Sequence, residues 1–303
     1  MHTMKLKKGR SLGAGIAAAF MALGIAGPQS AAQNDQPVGI ADLFVNALYE
    51  LKFGMSHNEF DMQEDYLSGG DESGDVPTPP GMPDPDIWRA DYNDPDGWLY
   101  GLSTAVALPA RCGAVIDFAY RTGDLEGGFT TTELSSGETF PGSADIDRDM
   151  WELGVTIPIP SMFFGRVAYR HTEDDVTWNF GGGELEFQEY EWQAIEAGFG
   201  MEQETTLGST GWTLLTHAFV GALYFDLEHT ELGSNMGPPT PPLKTDWEGW
   251  GYVLRGGADL VYPLGSELSA ALGAGYEFMD TSDGDLDLKN YELLLDIGLR
   301  GNF

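Results

Sequence analysis

The chain ends in Tyr291-Glu292-Leu293-Leu294-Leu295-Asp296-Ile297-Gly298-Leu299-Arg300-Gly301-Asn302-Phe303. Tyr291, Leu293, Leu295, Ile297, Leu299 and Phe303 fall on alternate positions, with Gly301 the one gap. Glu292, Asp296, Arg300 and Asn302 fall between them. Successive strand side chains point to opposite faces of a sheet, so this alternation predicts a strand with one apolar and one charged face. Helical spacing fits none of it.

The same period recurs upstream. Leu268 to Phe278 alternates against Glu267, Gly273, Gly275 and Glu277. Trp250, Tyr252, Leu254, Ala258, Leu260 and Tyr262 oppose Arg255 and Asp259. Trp98 to Leu108, Ile116 to Tyr120, Trp151 to Ile157 and Tyr49 to Met55 repeat it, opposing Asp117, Arg121, Glu152, Glu50 and Lys52. Three segments are less regular. Phe164 shares a face with Arg166 and Arg170, Trp192 shares one with Glu196, and 212–225 is apolar on both faces, with Trp212 and Tyr224 taken as outward. About ten strands result.

Links between these strands alternate in length. Short links lie near Pro109–Cys112, Pro158–Ser161, Gln203–Thr210 and Pro263–Ser266, and long ones near 57–96, 123–148, 179–189, 228–246 and 280–288. That is an up-and-down antiparallel meander with its long loops at one end, the asymmetry of outer-membrane barrels. Trp212 to Tyr224, Trp250 to Tyr262 and Tyr291 to Phe303 each span twelve positions on one face. Twelve steps of about 3.3 Å at about 45° of tilt rise roughly 28 Å, the height of an apolar band between two aromatic girdles. Trp98 is expected in the same girdle. Pro77–Pro85 and Pro238–Pro242 break strand pairing and are expected as irregular loop.

The terminus also resembles the C-terminal insertion signal of Gram-negative outer-membrane β-barrel proteins: Asp296, Gly298 and Phe303 match its polar, glycine and terminal aromatic positions, while Gly301 departs from the usual aromatic. The resemblance implies a closed all-β barrel over 44–303, a Gram-negative outer membrane, lipid and lipopolysaccharide as surroundings, and the barrel-assembly machinery as a partner during insertion.

The other end reads as an address. Lys5, Lys7, Lys8 and Arg10 precede a small, apolar run from Ser11 to Ala26, and Ser30 and Ala32 fit a small-x-small cleavage pattern. Residues 1–32 are therefore expected as a signal peptide and 33–43 as a periplasmic segment. The apolar run is about 16 residues, short of the roughly 20 that span a bilayer as a helix. The whole chain carries 48 acidic against 15 basic side chains, a net charge of −33. Four of the bases lie before residue 33, which leaves −37 beyond it. No basic footprint exists for nucleic acid. A single Cys, Cys112, excludes a disulfide framework.

The predicted inward charges, chiefly Arg166, Arg170, Arg255 and Arg300 against Glu196, Asp259, Glu292 and Asp296, either plug the barrel or line a narrow selective conduit. Ten strands sit near the filled end of the barrel series, against a wide pore. A narrow, porin-like, non-enzymatic channel is the leading expectation. The alternative is a structural or surface-binding barrel whose acidic loops contact divalent cations, lipopolysaccharide or a partner. No cofactor is expected beyond surface Ca²⁺ or Mg²⁺ held by the alternating acids Asp145, Asp147 and Asp149 or Asp283, Asp285 and Asp287, which lack the Gly and distal Glu of an EF-hand loop. A rim hydrolase built on His171 with Glu173, Asp174 and Asp175 ranks third. His57, His217 and His229 sit in no catalytic motif.

Overall fold

A computed structural model describes residues 48–68, 86–108, 113–159, 162–181, 184–209, 211–234, 243–283 and 285–302. The expected signal peptide and periplasmic segment, Cys112, Phe303 and both Pro-rich pieces lie outside the described residues. Ten strands follow in order: β1 Leu48–Ser68, β2 Asp86–Ala107, β3 Val115–Glu133, β4 Thr139–Pro158, β5 Phe163–Gly181, β6 Glu184–Leu207, β7 Trp212–Ser234, β8 Leu243–Pro263, β9 Leu268–Asp283 and β10 Leu286–Asn302. Each pairs antiparallel with its sequence neighbours, and β1 pairs with β10, so the barrel is closed and has no edge. The all-β, ten-stranded, up-and-down barrel expected from the period-two pattern is the fold observed.

The strands run from 16 residues in β9 to 24 in β6, well beyond the roughly 9–11 that cross a bilayer. Most stretches expected as long loops are instead strand. Residues 57–68, 123–133, 139–148 and 228–234 continue their hairpins past the apolar band. The cylinder therefore has two storeys. The lower one lies at the end holding Leu48 and Asn302, the end expected to be periplasmic, and the upper one lies beyond it.

The pattern reverses between the storeys. In the lower storey Phe53, Phe199, Val220 and Ile297 are more than half exposed on the outside, while Lys52, Arg166 and Glu196 point in. In the upper storey most acids point out and most apolar residues point in, with Glu64 and Asp174 as buried exceptions. Ala144, Ile146 and Met150 of β4 are buried while Asp145, Asp147 and Asp149 are exposed. In β6, Tyr190, Trp192 and Ala194 are buried inward and Phe199 emerges outward five residues after Ala194. Lipid surrounds one storey and water the other, so each takes the inside that its solvent leaves.

One strand changes phase by a different device. Between Asn93 and Asp96 the register of β2 slips against both neighbours, Asp94 takes φ of 48°, and Pro95 sits in the bulge. A bulge is where a strand tolerates proline and re-aims its side chains. Tyr92 consequently points inward on even numbering and Leu99 on odd.

Candidate functional site

The lumen is built in three levels. At the periplasmic end lies a cavity of about 390 Å³. On one wall Lys52 donates to Asp259 at 2.7 Å and pairs with Glu50 at 3.0 Å and Asp296 at 3.3 Å. The facing wall carries Phe164 and Phe219, stacked at 6.3 Å with 4° between ring planes. Phe164, which disturbed the alternation in sequence, thus lies inward beside the charges.

Above the cavity the arginines of β5 and β8 meet carboxylates from four strands. Arg166 reaches Glu152 at 2.6 Å, Glu196 at 3.2 Å and Asp117. Arg170 pairs with Glu152 at 2.7 Å and Glu277 at 2.5 Å. Arg255 holds Glu196 at 2.6 Å, Glu152 at 2.8 Å and Glu277. Each guanidinium offers a planar fork of donors, so three of them interlock with carboxylates from several directions. Arg121 meets Glu292 at 3.3 Å, and Glu292 has no exposed surface.

Of the predicted lumenal residues, Arg166, Arg170, Glu196 and Arg255 come together in this layer. Asp259 and Asp296 belong to the Lys52 group below it, Glu292 pairs with Arg121, and Arg300 approaches only Glu50, at 4.0 Å. Sequence reasoning missed the next cation up. Arg148 donates to Asp174 at 2.6 Å and to Asn58 at 2.8 Å while lying 4.8 Å over Phe60. It fell in a stretch read as loop, and its signal was the buried alternation of Ala144, Ile146 and Met150 around it.

The third level is aromatic and fills the upper storey. Trp178, Tyr92, Phe129, Phe225 and Leu125 are at most 1% exposed. Trp178 stacks on Phe129 at 4.8 Å and donates to the Tyr92 hydroxyl at 2.9 Å. The Tyr92 and Tyr190 hydroxyls bond at 2.8 Å, and Tyr190 donates to Glu64 at 2.7 Å. His229 stacks on Tyr190 at 4.4 Å, lies 3.9 Å from Glu64, and contacts Gln188. Burial pushes the His229 imidazole down to about 3, so it is neutral at ordinary pH. Trp178, Tyr92, Tyr190 and Glu64 thus form a chain of hydrogen bonds inside the buried core.

Outside, aromatic pairs mark two heights. Trp212 meets Tyr262 at 4.7 Å near the periplasmic end. Tyr224 and Trp250 at 5.3 Å, Phe278 and Tyr291 at 4.9 Å, and Trp98 against His57 at 5.1 Å form the upper ring. Several ring hydroxyls point up to acids on the next strand: Tyr120 to Asp149 at 2.7 Å, Tyr224 to Glu248 at 3.0 Å and Tyr252 to Asp280 at 3.0 Å. An amphipathic ring at an interface keeps its body in lipid and its hydroxyl in water.

Above that ring the outer surface is a collar of carboxylates. Asp145, Asp147 and Asp149 share the outward face of β4. Asp124 hydrogen-bonds Asp147 from the neighbouring strand and pushes its carboxyl up. Asp283 ends β9, Asp285 lies exposed in the turn and Asp287 bonds Lys289 at 3.2 Å. Among the described residues no group of three or more His, Cys, Asp or Glu side chains is arranged to hold a metal ion. The residues of the expected rim hydrolase are split by the pleat. His171 bonds Glu173 at 3.0 Å on the outer face, whereas Asp174 points inward to Arg148.

No protein-family model matches the chain, and no curated protein sequence matches it. Among solved structures it is similar to the outer membrane protease OmpT from Escherichia coli, at 11% identity and a TM-score of 0.56, over 85% of this chain and 97% of that one. It also aligns with the translocator domain of the autotransporter NalP from Neisseria meningitidis, at 10% identity and a TM-score of 0.37, over 97% and 98% of the two chains. The toluene transporter TodX of Pseudomonas putida gives 9% and 0.32, over 89% and 92%. The chain has the fold of Gram-negative outer-membrane β-barrel proteins, and its apolar belt is the surface that fold turns toward lipid.

Proposed function

We propose that this outer-membrane β-barrel is a sealed, surface-displaying scaffold and not a diffusion channel. Its role is to hold a rigid acidic collar above the lipid. The supporting observation is the side-chain filling of the upper lumen, where Trp178, Leu99 and Glu64 have no exposed surface and Tyr92, Phe129 and Phe225 have 1%. Water has to cross that level to pass between the two ends, and the packed aromatic layer leaves only a cavity of about 20 Å³ beside Tyr92, Tyr190 and Arg148, space for about one water. The charged layer beneath it opposes ion passage in a second way, because its arginines are already bound to carboxylates and offer no vacant charge to a permeating anion.

Rigidity follows from strand pairing. Hydrogen-bonded ladders continue beyond the apolar belt, so the collar is carried by sheet. A polyanionic surface of this kind suits cationic partners and repels bare phosphate groups.

Reconstitution into planar bilayers tests the reading. The folded protein is expected to give no stepwise conductance at 100 mV or more in either polarity, and reproducible single-channel steps from the parent protein would overturn the scaffold and restore the conduit.

A further inference from the structure

We propose that the cavity at the periplasmic end binds an aliphatic di- or polyamine. The inference does not depend on the barrel's being sealed, since it concerns only the level below the arginine layer. A cavity of about 390 Å³ falls in the range of small-molecule sites. Among its lining residues carboxylates outnumber cationic side chains by seven to four. The imbalance is concentrated on one wall. Glu50, Asp259 and Asp296 surround the single ammonium of Lys52, at 3.0, 2.7 and 3.3 Å. Lys52 spends a hydrogen bond on Asp259, Arg300 stands 4.0 Å from Glu50, and Asp296 Oδ1 has no hydrogen-bond partner, so three carboxylates share two cations and one negative charge is left over beside open space.

This wall is shaped for convergence. Gly273 of β9 lies opposite both Asp259 of β8 and Asp296 of β10. A Cβ at Gly273 would lie 2.5 Å from the Oδ1 atoms of both aspartates, so only glycine lets the two carboxylates lean over the same spot. Lys52 shows what such a group accepts: a primary ammonium on a methylene stem. The opposite wall supplies what the stem needs. Phe164 and Phe219 present stacked rings, and the Arg255 guanidinium already rests 5.7 Å over Phe219. Aromatic faces attract alkylammonium groups as well as covering methylenes.

Calorimetric titration of the refolded protein with spermidine in neutral detergent tests the site. Saturable binding is expected, weakened at least about tenfold in Asp259→Asn/Asp296→Asn and further by added NaCl. Gly275→Leu provides a second route, since a Cβ at Gly275 meets only ordinary contacts and the longer chain fills the cavity while leaving every charge in place. It is expected to weaken binding to a similar degree. Asp145→Asn/Asp147→Asn on the outer collar is the control and is expected to leave affinity unchanged. Heat-modifiable gel mobility establishes that each variant is folded. Absence of saturable heat overturns the site, as does binding lost in the collar variant and retained in folded cavity variants.

Discussion

Glu152 accepts from Arg166, Arg170 and Arg255 at once, and Glu277 from two of the same three, so no charge in the layer has a private partner. In such a lattice the cost of a substitution is set by what it strands. Arg170→Met retains the volume but takes a cation from two buried carboxylates, and it is expected to lower stability by about 3–5 kcal/mol in urea unfolding from lipid vesicles. Lys244→Ala, which breaks an exposed pair with Glu228, is expected to cost less than about 1 kcal/mol in the same assay. A second residue-level prediction concerns His229 in the upper storey. Its folded pKa lies near 3, below the ordinary 6.5, because burial disfavours the imidazolium. The unfolded chain therefore binds a proton first as pH falls. The His229 contribution is fully present above about pH 6.5 and drains away toward pH 3. The unfolding midpoint should fall between pH 7 and 5, and His229→Gln should flatten that fall; parallel curves for the two proteins would refute the assignment. In the lower storey the inward charges were readable from alternation, whereas Arg148 and Asp174 above them were not. The pairing was not readable either, because sequence spacing is silent on which strands face each other across a closed lumen. Arg170 and Glu277 sit on strands that never touch through the sheet.

Strands in the lower storey were legible because lipid demands an apolar exterior, and the exterior parity of Leu293, Leu295, Ile297 and Leu299 outweighs the one inward leucine, Leu294. Upper-storey strands were missed for a physical reason. Their outward acids resemble loop composition, and the apolar set has moved to the other parity, as between Trp192 and Phe199 in β6. A reader who expects one inside and one outside along a whole strand sees that reversal as the end of the strand. The bulge at Asn93–Asp96 of β2 compounds the difficulty by shifting parity a second way. Glycines show how the elements curve into a cylinder. A Cβ on Gly101 would collide with the Tyr120 carbonyl, and one on Gly198 with the Val220 carbonyl, so at these points neighbouring strands fold toward each other more sharply than a side chain allows. Such kinks are how a sheet turns a corner and closes. Gly198→Ala is expected to cost about 1–3 kcal/mol and to slow folding into vesicles, as overpacking does elsewhere. Gly275→Ala, whose Cβ would meet nothing closer than 3.5 Å, should fold like the parent. Equal stability of the two variants would remove the corner role.

At the scale of the whole molecule the two upper lumenal levels act as resistances in series. Flux through a series path is set by its tightest element, so loosening the other changes little. The charged level is held by ion pairs among Arg166, Arg170 and Arg255, and the aromatic level by Trp178, Tyr92 and Phe129, with Arg148 and Asp174 between them. Replacing Arg166 and Arg170 with alanine removes charge from the lower level but leaves the aromatic one intact. That variant is expected to stay electrically silent in planar bilayers. Removing only the aromatic level, by Trp178→Ala/Phe129→Ala, opens a void above arginines that remain locked to carboxylates, and silence is expected again. Combining the two sets removes both obstacles and should produce steps, with cation preference because Glu152, Glu196 and Glu277 then outnumber the remaining arginine. Each large-to-small change in the aromatic level costs about 3–5 kcal/mol, so the combined variant has to be examined in vesicles, where the lower storey is held by lipid. Conductance in either single-level variant would mean that the level left intact does not block the path.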